Sequence, residues 1–173
     1  KDNMVVSTVM SNIGFYKAIE ENGLQSVKTA VGDRYVVEEM RNNSYSLGGE
    51  QSGHIILMNY ATTGDGILTA VKLADIIKKS GKSLEELANE VSIYPQKLVN
   101  IKVVDKKTAM EDEEVLSECT KVEKELEGNG RILLRASGTE NLIRVMVEAS
   151  SDELTDKYCE QVAAIVRKKY EVK

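Results

Sequence analysis

What this chain lacks narrows its function first. Nothing in its 173 residues approaches the roughly 20-residue apolar run that a bilayer crossing needs. Lys1-Asp2-Asn3 does not open a leader with a charged start and an apolar centre. No membrane association is expected, and the chain reads as soluble and cytoplasmic. Basic residues are not in excess either: 23 Lys and Arg stand against 28 Asp and Glu, a net charge of -5. A general nucleic-acid or anionic-membrane surface needs clustered Lys and Arg, so any anionic ligand must be held at a local site. Only two cysteines occur, Cys119 and Cys159, far apart and in segments of helical period, which predicts two free thiols. Neither has a second metal ligand nearby. Pro95 is the one proline and His54 the one histidine.

What is present is 42% hydrophobic residues, enough for one large domain or two small ones. Two are expected. Met4 to Met10 reads as a strand with nothing before it to cover it, which predicts that the chain is cut from something longer. Ser11-Asn12 caps a helix from Ile13 to Glu21, which Asn22-Gly23 stops. Val27 to Val31 is a second strand, and Gly32-Asp33-Arg34 turns into a helix reaching about Met40. This order implies a layered α/β domain, in which ligands gather outside the carboxyl ends of parallel strands. Gly32, Asp33 and Arg34 are therefore candidate site residues, with Asp33 as a helix cap and Arg34 as a solvated charge as the alternative.

Gly48-Gly49-Glu50-Gln51-Ser52-Gly53-His54 leads into a strand from Ile55 to Tyr60. Its glycines let backbone approach a ligand, and Glu50 and Ser52 offer groups suited to sugar hydroxyls. His54 is either a packed group or a proton carrier near neutral pH. In Thr62-Thr63-Gly64-Asp65-Gly66 a single carboxylate is too few ligands for a cation, so Asp65 is read as the cap of a helix from Ile67 to Lys78, ended by Ser80-Gly81. Ser83-Leu84-Glu85-Glu86 has the pattern of a capping box and starts a helix to about Val91.

A boundary is expected from Ser92 to Gln96, around the lone proline, giving domains 1–93 and 94–173. Beyond it the order is a strand (Leu98 to Val104), an acidic helix (about Met110 to Leu126), strands Ile132 to Arg135 and Leu142 to Glu148, and a helix from Asp152 to Tyr170. That order suggests a small α+β domain, an antiparallel sheet carrying two helices. Glu111 to Glu114 reads as a solvated first turn.

The turn Arg135-Ala136-Ser137-Gly138-Thr139-Glu140-Asn141 lies between the last two strands. It can aim backbone N–H groups at one point, with Gly138 permitting a positive φ, Ser137 and Thr139 adding hydroxyls, and Arg135 a planar fork matched to phosphate. That makes an anion cradle. The alternative is an ordinary hairpin loop, since the same residues favour turns.

Gly49 to His54 and Arg135 to Asn141 together resemble the sugar-binding and phosphate-binding loops of the α-D-phosphohexomutases. Gln51, with Val31-Gly32-Asp33-Arg34-Tyr35-Val36 upstream, is most similar to the bacterial branch acting on glucosamine phosphates; Asn141 departs from a frequent proline. The resemblance covers the whole chain. It implies the third domain of four, a three-layer α/β/α domain short of its beginning, followed by the whole fourth. It further implies interconversion of glucosamine 6-phosphate and glucosamine 1-phosphate through a phosphoserine enzyme and a 1,6-bisphosphate, on the route to UDP-N-acetylglucosamine and the cell wall.

By the same resemblance Arg135, Ser137, the Gly138 N–H and Thr139 grip the terminal phosphate, Arg144 is a further donor, Glu50 and Ser52 hold the sugar, and His54 assists proton transfer. The phosphoserine and the Mg²⁺ loop, Asp-Gly-Asp-x-Asp-Arg, belong to the missing N-terminal domains. Neither pattern is in this chain, and Gly64-Asp65-Gly66 is no substitute, so no metal ligand is expected and the fragment alone should be inactive. The Pro95 segment is expected to hinge as substrate bridges the loops, and a homodimer is left open. The alternatives are a sister mutase for glucose or mannose phosphates and a non-catalytic phosphosugar-binding module.

Overall fold

A computed structural model describes residues 3–172, so the expectation at Lys1-Asp2 lies outside the described residues. The chain divides between Ile93 and Tyr94 into two compact units.

In the N-terminal unit β1 (Met4–Thr8) pairs in parallel with β2 (Gln25–Thr29) on one side and β3 (Leu47–Gly49) on the other, and β4 (Ile55–Leu57) runs antiparallel to β3. Between β1 and β2 lies α1 (Ile13–Glu21), started by the Asn12 side chain accepting from the Gly14 N–H at 2.9 Å. Between β2 and β3 lies α2 (Asp33–Asn43). Side chains alternate across a strand, so neighbouring residues of β1 meet different helices. Val6 packs with Val36, Met40 and Ile56 under α2, while the hydroxyl of Ser7 donates to that of Tyr16 of α1 at 3.0 Å. The two helices therefore cover opposite faces of the sheet, which makes three layers.

Two expectations need correction here. The second strand starts at Gln25 rather than Val27, because β1 fixes its register from Met4↔Gln25 to Thr8↔Thr29 and leaves Val31 exposed. The stretch before Glu50 is the strand β3, and β3 and β4 form a hairpin with Glu50 to Gly53 at its tip. Gly48 and Gly49 are glycines for packing: a Cβ on Gly48 would lie 2.5 Å from Met40 Sδ, and one on Gly49 2.5 Å from the His54 carbonyl oxygen.

Asp65 starts α3 (Gly66–Ser80) by accepting from the Leu68 N–H at 2.9 Å, and Ser83 and Glu86 form a reciprocal capping box on α4 (Leu84–Ala88). That last helix stops short of the expected Val91. The apolar spacing in α3 produces a helix whose Ile67, Val71 and Ile76 remain exposed.

In the C-terminal unit β5 (Gln96–Lys102), β7 (Leu142–Glu148) and β6 (Arg131–Ala136) form an antiparallel sheet in that order. Ile143, Val145 and Val147 of the central strand pack into one core with Val115, Val122 and Leu126 of α6 (Glu113–Leu126) and Cys159, Val162 and Val166 of α7 (Asp152–Tyr170). Arg131 of β6 and the buried Glu148 of β7 form an ion pair at 2.7 Å.

The acidic helix expected from about Met110 to Leu126 is α6, which starts at Glu113, and a further short helix precedes it. This is α5 (Lys106–Met110), capped by Asp105, and Asp112 separates the two by capping α6, accepting from the Glu114 and Val115 N–H groups at 3.0 Å. The acidic first turn is not simply solvated. Asp112 also accepts from Lys169 Nζ at 2.7 Å and the Tyr170 hydroxyl at 2.5 Å, tying the end of α7 to the start of α6.

Candidate functional site

The first candidate constellation lies at the carboxyl ends of β1, β2 and β3, where the chain leaves the sheet for α2 and for the hairpin. Gly32 ends the connection from β2 with a φ of 131°, a conformation that favours glycine. Its N–H donates to Glu50 Oε1 at 2.9 Å. The two stretches marked in the sequence, 18 residues apart, thus meet through a backbone-to-carboxylate bond. This bond fixes Glu50 and engages one of its two oxygens.

Asp33 is the first residue of α2 rather than its cap, and its carboxylate accepts from the Arg34 N–H at 2.8 Å. The Arg34 guanidinium lies 5.5 Å from the centre of the Tyr35 ring. Ser52 and His54 are exposed, the first on the hairpin tip and the second at its return. The Glu50 N–H donates to the His54 carbonyl at 2.8 Å and the Gly53 N–H to the Glu50 carbonyl at 3.0 Å, so the tip is a closed turn. Gly53, at φ 99°, makes its sharp bend.

The second constellation is the turn joining β6 to β7. Its hairpin closes with the Ser137 N–H on the Leu142 carbonyl at 2.8 Å, and the Glu140 N–H reaches Ser137 Oγ at 3.4 Å. Two of the turn's amides are therefore used internally. Those of Gly138, Thr139 and Asn141, all exposed, make no described bond. Gly138 does not adopt a positive φ, contrary to expectation, and a Cβ there would meet open space.

Arg135 and Arg144 stand directly opposite each other across the β6–β7 ladder, two residues outside the closing Ser137–Leu142 bond on each side. They occupy the face of β7 opposite Ile143, Val145 and Val147. Neither makes an ion pair among the described residues, and Arg144 Nε is buried with no acceptor. Burial first, and then the Arg144 charge, push the Arg135 guanidinium below its ordinary value. Like charges facing each other on adjacent strands destabilise a sheet, and a buried unpaired donor costs about 1–3 kcal/mol. The pair is therefore unfavourable for the fold as it stands.

Two family models divide the chain. Phosphoglucomutase/phosphomannomutase alpha/beta/alpha domain III matches residues 1–94, and the C-terminal domain of the same family matches residues 98–165. The chain belongs to the phosphoglucomutase/phosphomannomutase family. It is 61% identical over 170 residues to the phosphoglucosamine mutase of Anoxybacillus flavithermus and 59% identical over 168 residues to that of Staphylococcus carnosus. These alignments cover 98% and 97% of this chain but 38% and 37% of the relatives, so the chain spans little more than a third of their length.

Among solved structures, Aspergillus fumigatus N-acetylphosphoglucosamine mutase superposes with a TM-score of 0.84 at 22% identity, over 95% of this chain and 38% of that one. A complex of the same fungal enzyme with GlcNAc-6P and magnesium superposes at 0.76 and 20% identity, over 95% of this chain and 41% of that one. At such identity these establish the phosphohexomutase fold alone.

No group of three or more His, Cys, Asp or Glu among the described residues could hold a metal ion. Asp65 is committed to capping α3. The described residues thus do not fit a magnesium site. No described helix is long and apolar enough to cross a membrane.

Lys106, on α5, escaped the sequence reading. Its Nζ donates to the Ser137 carbonyl at 2.8 Å. Beside Lys107 it resembles a solvated charge, and only the fold brings it to the turn.

Proposed function

We propose that this chain is the sugar- and phosphate-holding part of an enzyme that interconverts glucosamine 6-phosphate and glucosamine 1-phosphate through a phosphoserine and a 1,6-bisphosphate. The observation that carries the reading is the Arg135–Arg144 pair, two cations held face to face without a carboxylate. The identity of about 60% to enzymes named phosphoglucosamine mutase supports the choice of sugar.

Such a reaction requires the non-reacting phosphate to be held equally well at either end of the sugar. A turn that grips only terminal phosphate oxygens meets that demand, since both ends present the same group. Arg135 and Arg144 supply charge-assisted bonds, with Ser137, Thr139 and the Gly138 N–H as further donors. In the N-terminal unit Glu50 accepts from ring hydroxyls through the oxygen that Gly32 leaves open. Ser52 adds a contact, and Asp33 and Arg34 on the first turn of α2 complete the sugar-directed set. His54 assists proton transfer at the attacking hydroxyl, although phosphoryl transfer depends chiefly on positioning and charge neutralisation. Mg²⁺ supplies charge neutralisation in the parent enzyme, where the phosphoserine also lies. That enzyme is cytoplasmic.

The test is calorimetric titration of this chain with glucosamine 6-phosphate and glucosamine 1-phosphate. Both should bind with similar affinity, and Arg135→Ala should weaken each by ~2 kcal/mol, about thirtyfold. Unchanged affinity in the variant would refute the phosphate turn. A clear preference of the wild-type chain for glucose 1-phosphate would move the assignment to a sister mutase.

A further inference from the structure

The phosphate turn is braced from one side by a residue that is neither in it nor on its strands. Lys106 begins α5, and Asp105 fixes that helix by accepting from the Lys107 N–H at 2.9 Å and the Thr108 hydroxyl at 2.6 Å. From this anchored start the half-buried Lys106 side chain reaches across 31 positions of sequence to the carbonyl of Ser137, at 2.8 Å. Lys106 lines a cavity of about 350 Å³ whose wall includes Ala136 and Asn141, which flank the turn's tip. It makes no ion pair among the described residues. The turn otherwise has few internal ties: the closing Ser137–Leu142 bond and a long contact from the Glu140 N–H.

Resting on the phosphate-binding reading above, we propose that Lys106 is a positioning residue of the phosphate site. By holding the Ser137 carbonyl, it orients the peptide that carries the Gly138 N–H. A carbonyl has its oxygen and the next residue's N–H on opposite edges of one planar peptide. Fixing the Ser137 oxygen toward α5 therefore turns the Gly138 N–H away from α5. Charge-assisted bonds are about twice as strong as neutral ones, so this tie is a strong constraint on the turn.

The experiment compares Lys106→Met and Lys106→Arg with wild type in two measurements on the 173-residue chain. The first needs no ligand: hydrogen exchange at the Ser137 and Glu140 amides, the two that the turn bonds internally, should speed up several-fold in Lys106→Met, while exchange in β7 is unchanged. The second is calorimetric binding of glucosamine 1-phosphate, expected to weaken about tenfold in Lys106→Met and to recover most of that in Lys106→Arg, in line with loss and return of one bond to a charged group. Unaltered exchange at the turn, or binding within twofold of wild type in Lys106→Met while Arg135→Ala loses it, overturns the role of Lys106 alone. So does a binding loss that Lys106→Arg leaves in full. A wild-type chain that binds no sugar phosphate overturns the phosphate-site reading, and Lys106 as part of that site falls with it. The exchange measurement then still tells whether the tie orders the turn.

Discussion

Replacing Arg144 by Met should make the C-terminal unit more stable and, in the same step, remove its response to phosphate. The reasoning starts from two costs in the unliganded protein. Arg144 Nε is buried without an acceptor, an arrangement worth about 1–3 kcal/mol of destabilisation. Arg135 stands opposite in the ladder, and a like-charge cross-strand pair adds roughly 0.2–1 kcal/mol. Methionine keeps most of the aliphatic stem and removes both. Allowing for the packing lost with the guanidinium, the net gain should be ~1–2 kcal/mol, which for a domain of this size raises the melting temperature by roughly 5–10 °C. The assay is scanning calorimetry of wild type and variant, first in a buffer free of multivalent anions and then with added phosphate. A ligand at about 100 times its dissociation constant stabilises by ~2.7 kcal/mol, so wild type should overtake the variant as phosphate rises. A melting temperature that falls in Arg144→Met without phosphate, or a phosphate-dependent rise equal to that of wild type, would refute the reasoning.

Two further substitutions probe what holds each unit together. Gly48→Ala places a methyl 2.5 Å from Met40 Sδ and 2.9 Å from Val36 Cγ1, so it should destabilise the N-terminal unit by ~1–3 kcal/mol in urea titration; an unchanged midpoint would remove the packing account of that glycine. Bonds from Lys169, Tyr170 and the Val115 N–H hold the Asp112 carboxyl far below the usual carboxylate range. A carboxyl lowered on folding stabilises above its unfolded value near 3.9 and loses that contribution as pH falls toward its folded one. Asp112→Asn should therefore lower the melting temperature at pH 7 and close on wild type only as pH falls from near 3.9 toward the folded value. A difference that stays constant with pH would show that Asp112 acts only as a neutral cap.

Much of the framework was legible because its signals are local. Asn12 and Ser151 cap α1 and α7, and those helices and β7 run between the residues their periodicity marked. Other elements owe their form to partners distant in the chain. β3 is three residues with two glycines and carries no strand propensity; it is a strand because β1 offers it an edge from Val5↔Leu47 to Ser7↔Gly49. α5 and α6 are separate because the Asp112 side chain takes the first amides of α6, a choice reinforced by Lys169 and Tyr170, 57 and 58 residues away. The turn at Ser137 to Asn141 was visible by composition. The reason given for Gly138 was not the one the backbone uses.

The arginine pair shows what a sequence can reveal once register is considered. Counting equal steps outward from the closing Ser137–Leu142 bond brings Arg135 and Arg144 to one rung of the ladder. At the far end of the same two strands the rung of Arg131 and Glu148 pairs a guanidinium with a carboxylate. The contrast between these two rungs is the argument for function. One pairs opposite charges and needs nothing more, whereas the other leaves two cations uncompensated in a chain whose net charge is -5. Acidic residues are therefore plentiful, and their absence from that rung supports the proposal that it receives a phosphate.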